Sequence, residues 1–186
     1  LNLGALFRSR EKWGEAIACF RRTLDLTAGD LYSAQVFADG LHGAIFLEAN
    51  AQLWKDLERC LKIEGINHES LAVPAALFLR NSQQLVPLIE ATERGDFNLS
   101  AQEVQRGDVL APLCTDFAIL LLQRDVVRDA ALEKLFTAIR KILLTLAVAG
   151  RLPEQMKPQT LKFLCTLARQ CFLNEYVYLQ SAEEKA

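Results

Sequence analysis

Along almost the whole chain apolar residues return at every third or fourth position, and strand-like alternation is nowhere sustained. That periodicity predicts an all-α fold. The clearest case is DAALEKLFTAIRKILLTLAVAG, where Leu132, Leu135, Phe136, Ile139, Ile142, Leu143 and Leu146 trace one stripe. Glu133, Lys134, Arg140 and Lys141 lie off it, Asp129 is placed to cap the start, and Gly150 with Pro153 behind it supplies the stop. The same reasoning predicts helices near residues 1–10, 13–27, 31–49, 51–64, 70–81, 83–93, 100–106, 109–124, 129–149 and 158–181.

Short loops join these helices. Pro74 suits a first-turn position, whereas Pro87, inside QQLVPLIEA, must either start a helix or kink one. The most polar stretch, ERGDFNLSAQEVQRGD at 93–108, contains Ser100 and Glu103 at capping-box spacing, so a short helix should follow its loop. It is also the best place for a boundary between two packed halves. By content, the chain divides into a repeat-like region, 1–64, and a helical domain, 65–186, that ends in a long carboxy-terminal helix.

Residues 1–28 carry a spaced pattern: Leu3, Gly4 and Phe7, then Trp13, Ala16, Phe20 and Leu24. It resembles a tetratricopeptide repeat, in which small residues let two antiparallel helices approach and large ones fill the gaps around them. Two positions depart from the family pattern: Thr23 stands at its late small residue and Ala28 replaces its closing Pro. The best second copy, AIFLEANAQLWKDLERCL, lies nearer ~40 than ~34 residues downstream. The resemblance implies antiparallel helix pairs forming the end of a right-handed α-solenoid, merged with a non-repeat helical domain. Ala5 follows Gly4 where members that grip peptide carboxyl termini place Asn, so that clamp is not expected.

Farther on, ALEKLFTAIRKILL followed by LCTLARQCFLNEYVYLQSAEE resembles the helical region that, in a bacterial group, separates tetratricopeptide repeats from a class I S-adenosylmethionine-dependent methyltransferase domain. The resemblance implies a cofactor site downstream. A strand followed by a glycine-rich loop, which such a site needs, does not occur in these 186 residues. No cofactor or methylation is therefore expected of this stretch alone.

The last predicted helix sets Arg169, Gln170, Asn174 and Glu175 among apolar and aromatic residues. On an ideal helix Glu175 falls within a stripe of Leu161, Leu164, Ala168, Cys171, Phe172, Tyr178 and Leu179. One reading makes Glu175 a general acid or base beside Tyr178 or Arg169, and hence the chain a helical enzyme. The favoured reading is a buried polar seam of Glu175, Arg169, Asn174 and Tyr178 that fixes docking, with Arg140 or Arg124 as the partner of the carboxylate.

Composition removes other classes. About half the residues are apolar (51%) and the formal net charge is −2, which speaks against disorder and against a surface built to neutralise phosphates. The longest apolar runs, at 117–122 and 142–150, fall short of the roughly 20 residues that cross a bilayer. Without a starting Met or a basic leader the chain reads as a fragment. Five cysteines without C-x-x-C spacing read as reduced, buried core residues of a cytoplasmic protein. Cys165 and Cys171 point about 120° apart on a helix, which disfavours a shared metal. His42 and His68 have no companion ligand at metal spacing, so no metal is expected, and Trp13 and Trp54 fit core positions. The sequence thus points to a non-enzymatic protein-protein interaction or scaffold module, acting on a protein, a peptide or an adjacent domain.

Overall fold

The computed structural model describes residues 2–27, 29–44 and 51–173. Among them are ten α-helices and one 3-10 turn, and no strand, as the three- and four-residue periodicity requires. No described helix is long and apolar enough to cross a membrane. The chain forms two compact units that divide between Leu79 and Arg80, which leaves the polar 93–108 stretch inside the second.

The first unit contains α1 (Asn2–Ser9), α2 (Trp13–Leu26), α3 (Leu31–Leu41), α4 (Ala51–Lys62) and most of α5 (Glu69–Arg80). Asp30 opens α3 by accepting a hydrogen bond from the Ser33 amide at 2.7 Å, which holds its carboxyl below the usual range. Phe20, on α2, is the joint of the first three helices. A Cβ added at Gly4 on α1 would lie 2.7 Å from its Cε1, and one added at Gly40 on α3 would lie 2.5 Å from its Cδ2. Asp39-Gly40 is therefore a packing device inside a helix rather than a hairpin turn. Since Phe20 is buried and hemmed on both sides, its ring cannot yield. Gly40→Ala should destabilise this unit by about 1–3 kcal/mol through overpacking, read as a lowered urea midpoint of tryptophan fluorescence.

Two sequence expectations in this unit need correction. The helix predicted for 31–49 ends at Leu41, because His42 is extended (ψ 124°), Gly43 is left-handed (φ +81°) and the Ala44 amide closes a turn on Leu41 O at 2.9 Å. Residues 45–49 lie outside the described residues. Pro74 sits in the interior of α5 rather than in its first turn. It removes one backbone donor, but it is buried beside Leu71, Ala75 and Phe78, and that packing offsets the loss.

The second unit contains α6 (Val86–Arg94), α7 (Ala101–Arg106), a 3-10 turn at Ala111–Leu113, α8 (Asp116–Arg124), α9 (Ala130–Val148) and α10 (Pro158–Leu173). Pro87 starts α6, and Ser100 with Glu103 forms the expected capping box of α7. Asp129 caps α9 through the amides of Ala131 and Leu132, both at 3.1 Å, and its second oxygen accepts from Arg80 at 3.0 Å. Gly150 (φ +65°) then ends the helix. The single helix predicted for 109–124 is interrupted instead: Thr115 is extended and its hydroxyl accepts from the Ala118 amide, so α8 begins only at Asp116. Phe117, Phe136, Ile139 and Phe163 form a fully buried core, where α9 packs on α6 and α10 packs on α8.

Candidate functional site

α10 docks with a different face from the one its apolar stripe suggests. Buried against the unit are Thr160, Phe163, Thr166, Leu167 and Gln170, whereas Leu161, Ala168 and Phe172 are exposed. The physical reason lies at the end of α8, whose last carbonyls have no partner within the helix. Gln170, 1% exposed, donates from Nε2 to the carbonyls of Leu122 at 2.5 Å and Asp125 at 2.6 Å. This amide closes α8 and fixes the rotation of α10.

With α10 so rotated, its remaining apolar row opens towards α9 instead of filling the core. Leu164, Leu167, Ala168 and Cys171 on one side, and Arg140, Leu143, Leu144 and Ala147 on the other, line a cleft of about 380 Å³ with Leu152 at one end. The positions on each helix recur at three- and four-residue spacing, so each side presents a straight row over about two turns. Small side chains, Ala147 and Ala168, leave the gap between larger neighbours. Around it Leu144, Val148, Leu161 and Phe172 stand exposed, with Val148 at 90% and Phe172 at 78%.

A second depression, in the first unit, is lined by Gly29, Lys55, Glu58, Arg59, Lys62 and Ile63. Apart from Lys55 its charges are engaged, Lys62 with Glu58 at 2.5 Å and Arg59 with Asp25 at 3.5 Å. Gly29, left-handed at φ +72°, leaves room for the Arg59 guanidinium that fills this space.

The residues singled out from the sequence are distributed as follows. Of the repeat-like set, Gly4, Ala16, Phe20 and Leu24 are buried, Phe7 and Trp13 are half-buried, and Leu3 is exposed, turned about 100° from Gly4 on α1. Trp54 packs on Phe78 with ring centroids 5.5 Å apart. Of the polar seam, Glu175, Asn174 and Tyr178 lie outside the described residues, and Arg169 is exposed on α10. Arg124 and Arg140, named as partners for Glu175, are both half-buried. Gln170, together with Thr160 and Thr166, is a polar residue of this helix that the described structure buries.

All five cysteines are free thiols, but the expectation that they are buried holds fully for Cys60 alone. Cys165 is exposed, because it lies on the outward face of the rotated α10, and Cys19, Cys114 and Cys171 are half-buried. Burial and then the nearby Asp56 carboxylate push the Cys60 thiol up to about 12, so it stays protonated and inert as a nucleophile. No group of three or more His, Cys, Asp or Glu among the described residues is arranged to hold a metal. His42 and His68 stand on separate segments, at the end of α3 and before α5.

Two features escaped sequence reading. One is the buried ion pair of Arg21 and Asp56, at 2.5 Å, which joins α2 to α4. Its signal was available: Asp56 stands among Leu53, Leu57, Cys60 and Leu61 on the apolar face of α4. The other is the cleft itself, whose only hint was an excess of apolar positions around α10. Comparison with known proteins finds no matching family model, no matching curated protein and no matching solved structure.

Proposed function

We propose that this chain is a non-enzymatic protein-protein interaction module, in which a tetratricopeptide-like helix pair at the amino end is joined to a helical domain that holds a partner protein or an adjacent domain of the same chain. The observation that carries the reading is the α9–α10 cleft, an elongated apolar trough with exposed Leu144, Val148, Leu161 and Phe172 around it. Contiguous apolar surface of this kind marks an interaction site more often than a reaction site, and it holds a single ionisable cation, Arg140, on its walls. The tight joint of Gly4, Ala16 and Phe20 supports the repeat-like reading of residues 1–64. Free thiols throughout fit a reducing compartment, the cytoplasm. Positioning of a methyltransferase domain is the form of this function that residues 110–184 suggest.

The test places a photoreactive phenylalanine analogue at position 144 of the full chain and cross-links it in cells. A protein adduct should form, and adding Ala147→Glu to the same chain should weaken it by about tenfold or more, the loss expected for a charge set into an apolar contact. Ala147 is exposed, so the substitution leaves the melting temperature unchanged. Adducts that are equally strong with and without Ala147→Glu overturn the proposal.

A further inference from the structure

We propose that the α9–α10 cleft receives an amphipathic helix of a partner protein whose flanks are acidic. This rests on the interaction reading above and names the chemistry of the partner. The shape comes first. Two straight apolar rows with small residues facing across the gap accept a helical ridge carrying its own apolar residues at three- and four-residue spacing, as helix-in-groove recognition requires. A flat contact would leave Ala147 and Ala168 unfilled.

Charge supplies the second argument. Residues 134–173 carry seven basic side chains and a single acidic one, Glu154, in a chain whose net charge is −2. α10 has no acidic residue at all, and the only one in α9, Glu133, lies in its first turn, where burial raises its carboxyl pKa. Within the described residues, Lys157 pairs with Asp108 at 2.8 Å and Lys162 approaches Asp116 at 4.0 Å. No ion pair among the described residues engages Lys134, Lys141, Arg151 or Arg169, the last three of which are exposed beside the apolar band. An apolar trough edged by positive charge on both helices favours a helix with carboxylates outside its apolar ridge and repels one with lysines there.

Two labelled peptides of about 18 residues test this with the full chain: a leucine-ridged helix with glutamates on its flanks, and the same peptide with lysine at every glutamate. The acidic peptide should bind at least about tenfold more tightly, and its advantage should shrink as salt is raised from about 0.05 to 0.5 M. Ala147→Glu, or independently Leu144→Glu, should weaken its binding by about tenfold or more at unchanged melting temperature. Equal affinity for both peptides overturns the acidic assignment while the docking reading survives. Failure of both peptides to bind, or binding of the acidic one that is indifferent to both substitutions, overturns the docking at this cleft as well. Two further outcomes reassign the occupant and so overturn the proposal. They are a sedimentation dimer that Ala147→Glu dissociates and capture of the chain by phosphatidylserine vesicles that Ala147→Glu abolishes.

Discussion

Arg21→Ala destabilises the first unit by about 3–5 kcal/mol, the loss expected when one member of a buried ion pair is removed and the other stays behind. Asp56 is 3% exposed and accepts from Arg21 Nε at 2.5 Å and from Gln52 Nε2 at 3.0 Å. Without the guanidinium its carboxylate keeps one neutral donor in a site that water reaches only through the gap left by the lost side chain. The reverse change should be milder. Arg21 keeps a quarter of its side chain in solvent, so Asp56→Ala strands a charge that water can still reach. Replacing both residues with apolar ones of similar volume, Arg21→Met with Asp56→Leu, should recover most of the stability, since desolvation of the pair offsets much of its attraction. Tryptophan fluorescence reads this unit directly, because both tryptophans, Trp13 and Trp54, lie within it. Urea midpoints in the order wild type, double variant, Asp56→Ala, Arg21→Ala are the expected result. Equal losses for the two single variants would show that the pair acts as surface charge.

The parts of this fold that could be read from sequence are those decided within a few residues. Ser100 and Glu103, Asp129 and Gly150 satisfy or end the backbone of their own helices, so their types and spacing suffice. The rotation of α10 could not be read this way. Periodicity assumes that the apolar row is the buried row, but α10 carries Thr160 and Gln170 on its buried face and Leu161 and Phe172 on its exposed one. What decides between the faces is a pair of carbonyls at the end of α8, more than forty residues away. The same dependence hid the cleft, which exists only because α10 turns its apolar row outward. Charge segregation around it was legible in principle, since counting basic and acidic residues in a window over 134–173 reveals it. The net charge of the whole chain averaged it away. Arg21 and Asp56 sit between these extremes: a carboxylate on an apolar stripe announces a buried partner, while its identity comes from another helix.

Gln170→Glu tests the α8–α10 junction with a change of one atom and carries its own pH signature. The native amide directs both N–H groups of Nε2 at carbonyl oxygens, an arrangement that also fixes which end of the side chain is nitrogen. A carboxylate there has nothing to donate and is buried facing two acceptors, so at neutral pH the variant should lose about 2–4 kcal/mol relative to wild type. Protonation returns one donor. The folded-state pKa of the introduced carboxyl must therefore lie above the unfolded value of about 4.3, and for a group raised in this way stability is retained below the unfolded pKa and lost as pH climbs through the folded one. The gap in melting temperature between wild type and variant should be smallest near pH 4 and widen towards pH 7, when followed by far-ultraviolet circular dichroism. Gln170→Leu removes both donors without adding a charge, so its gap should stay constant over the same range. If the glutamate variant also shows a constant gap, the amide does not face the end of α8, and the rotation of α10 that opens the cleft loses its physical cause.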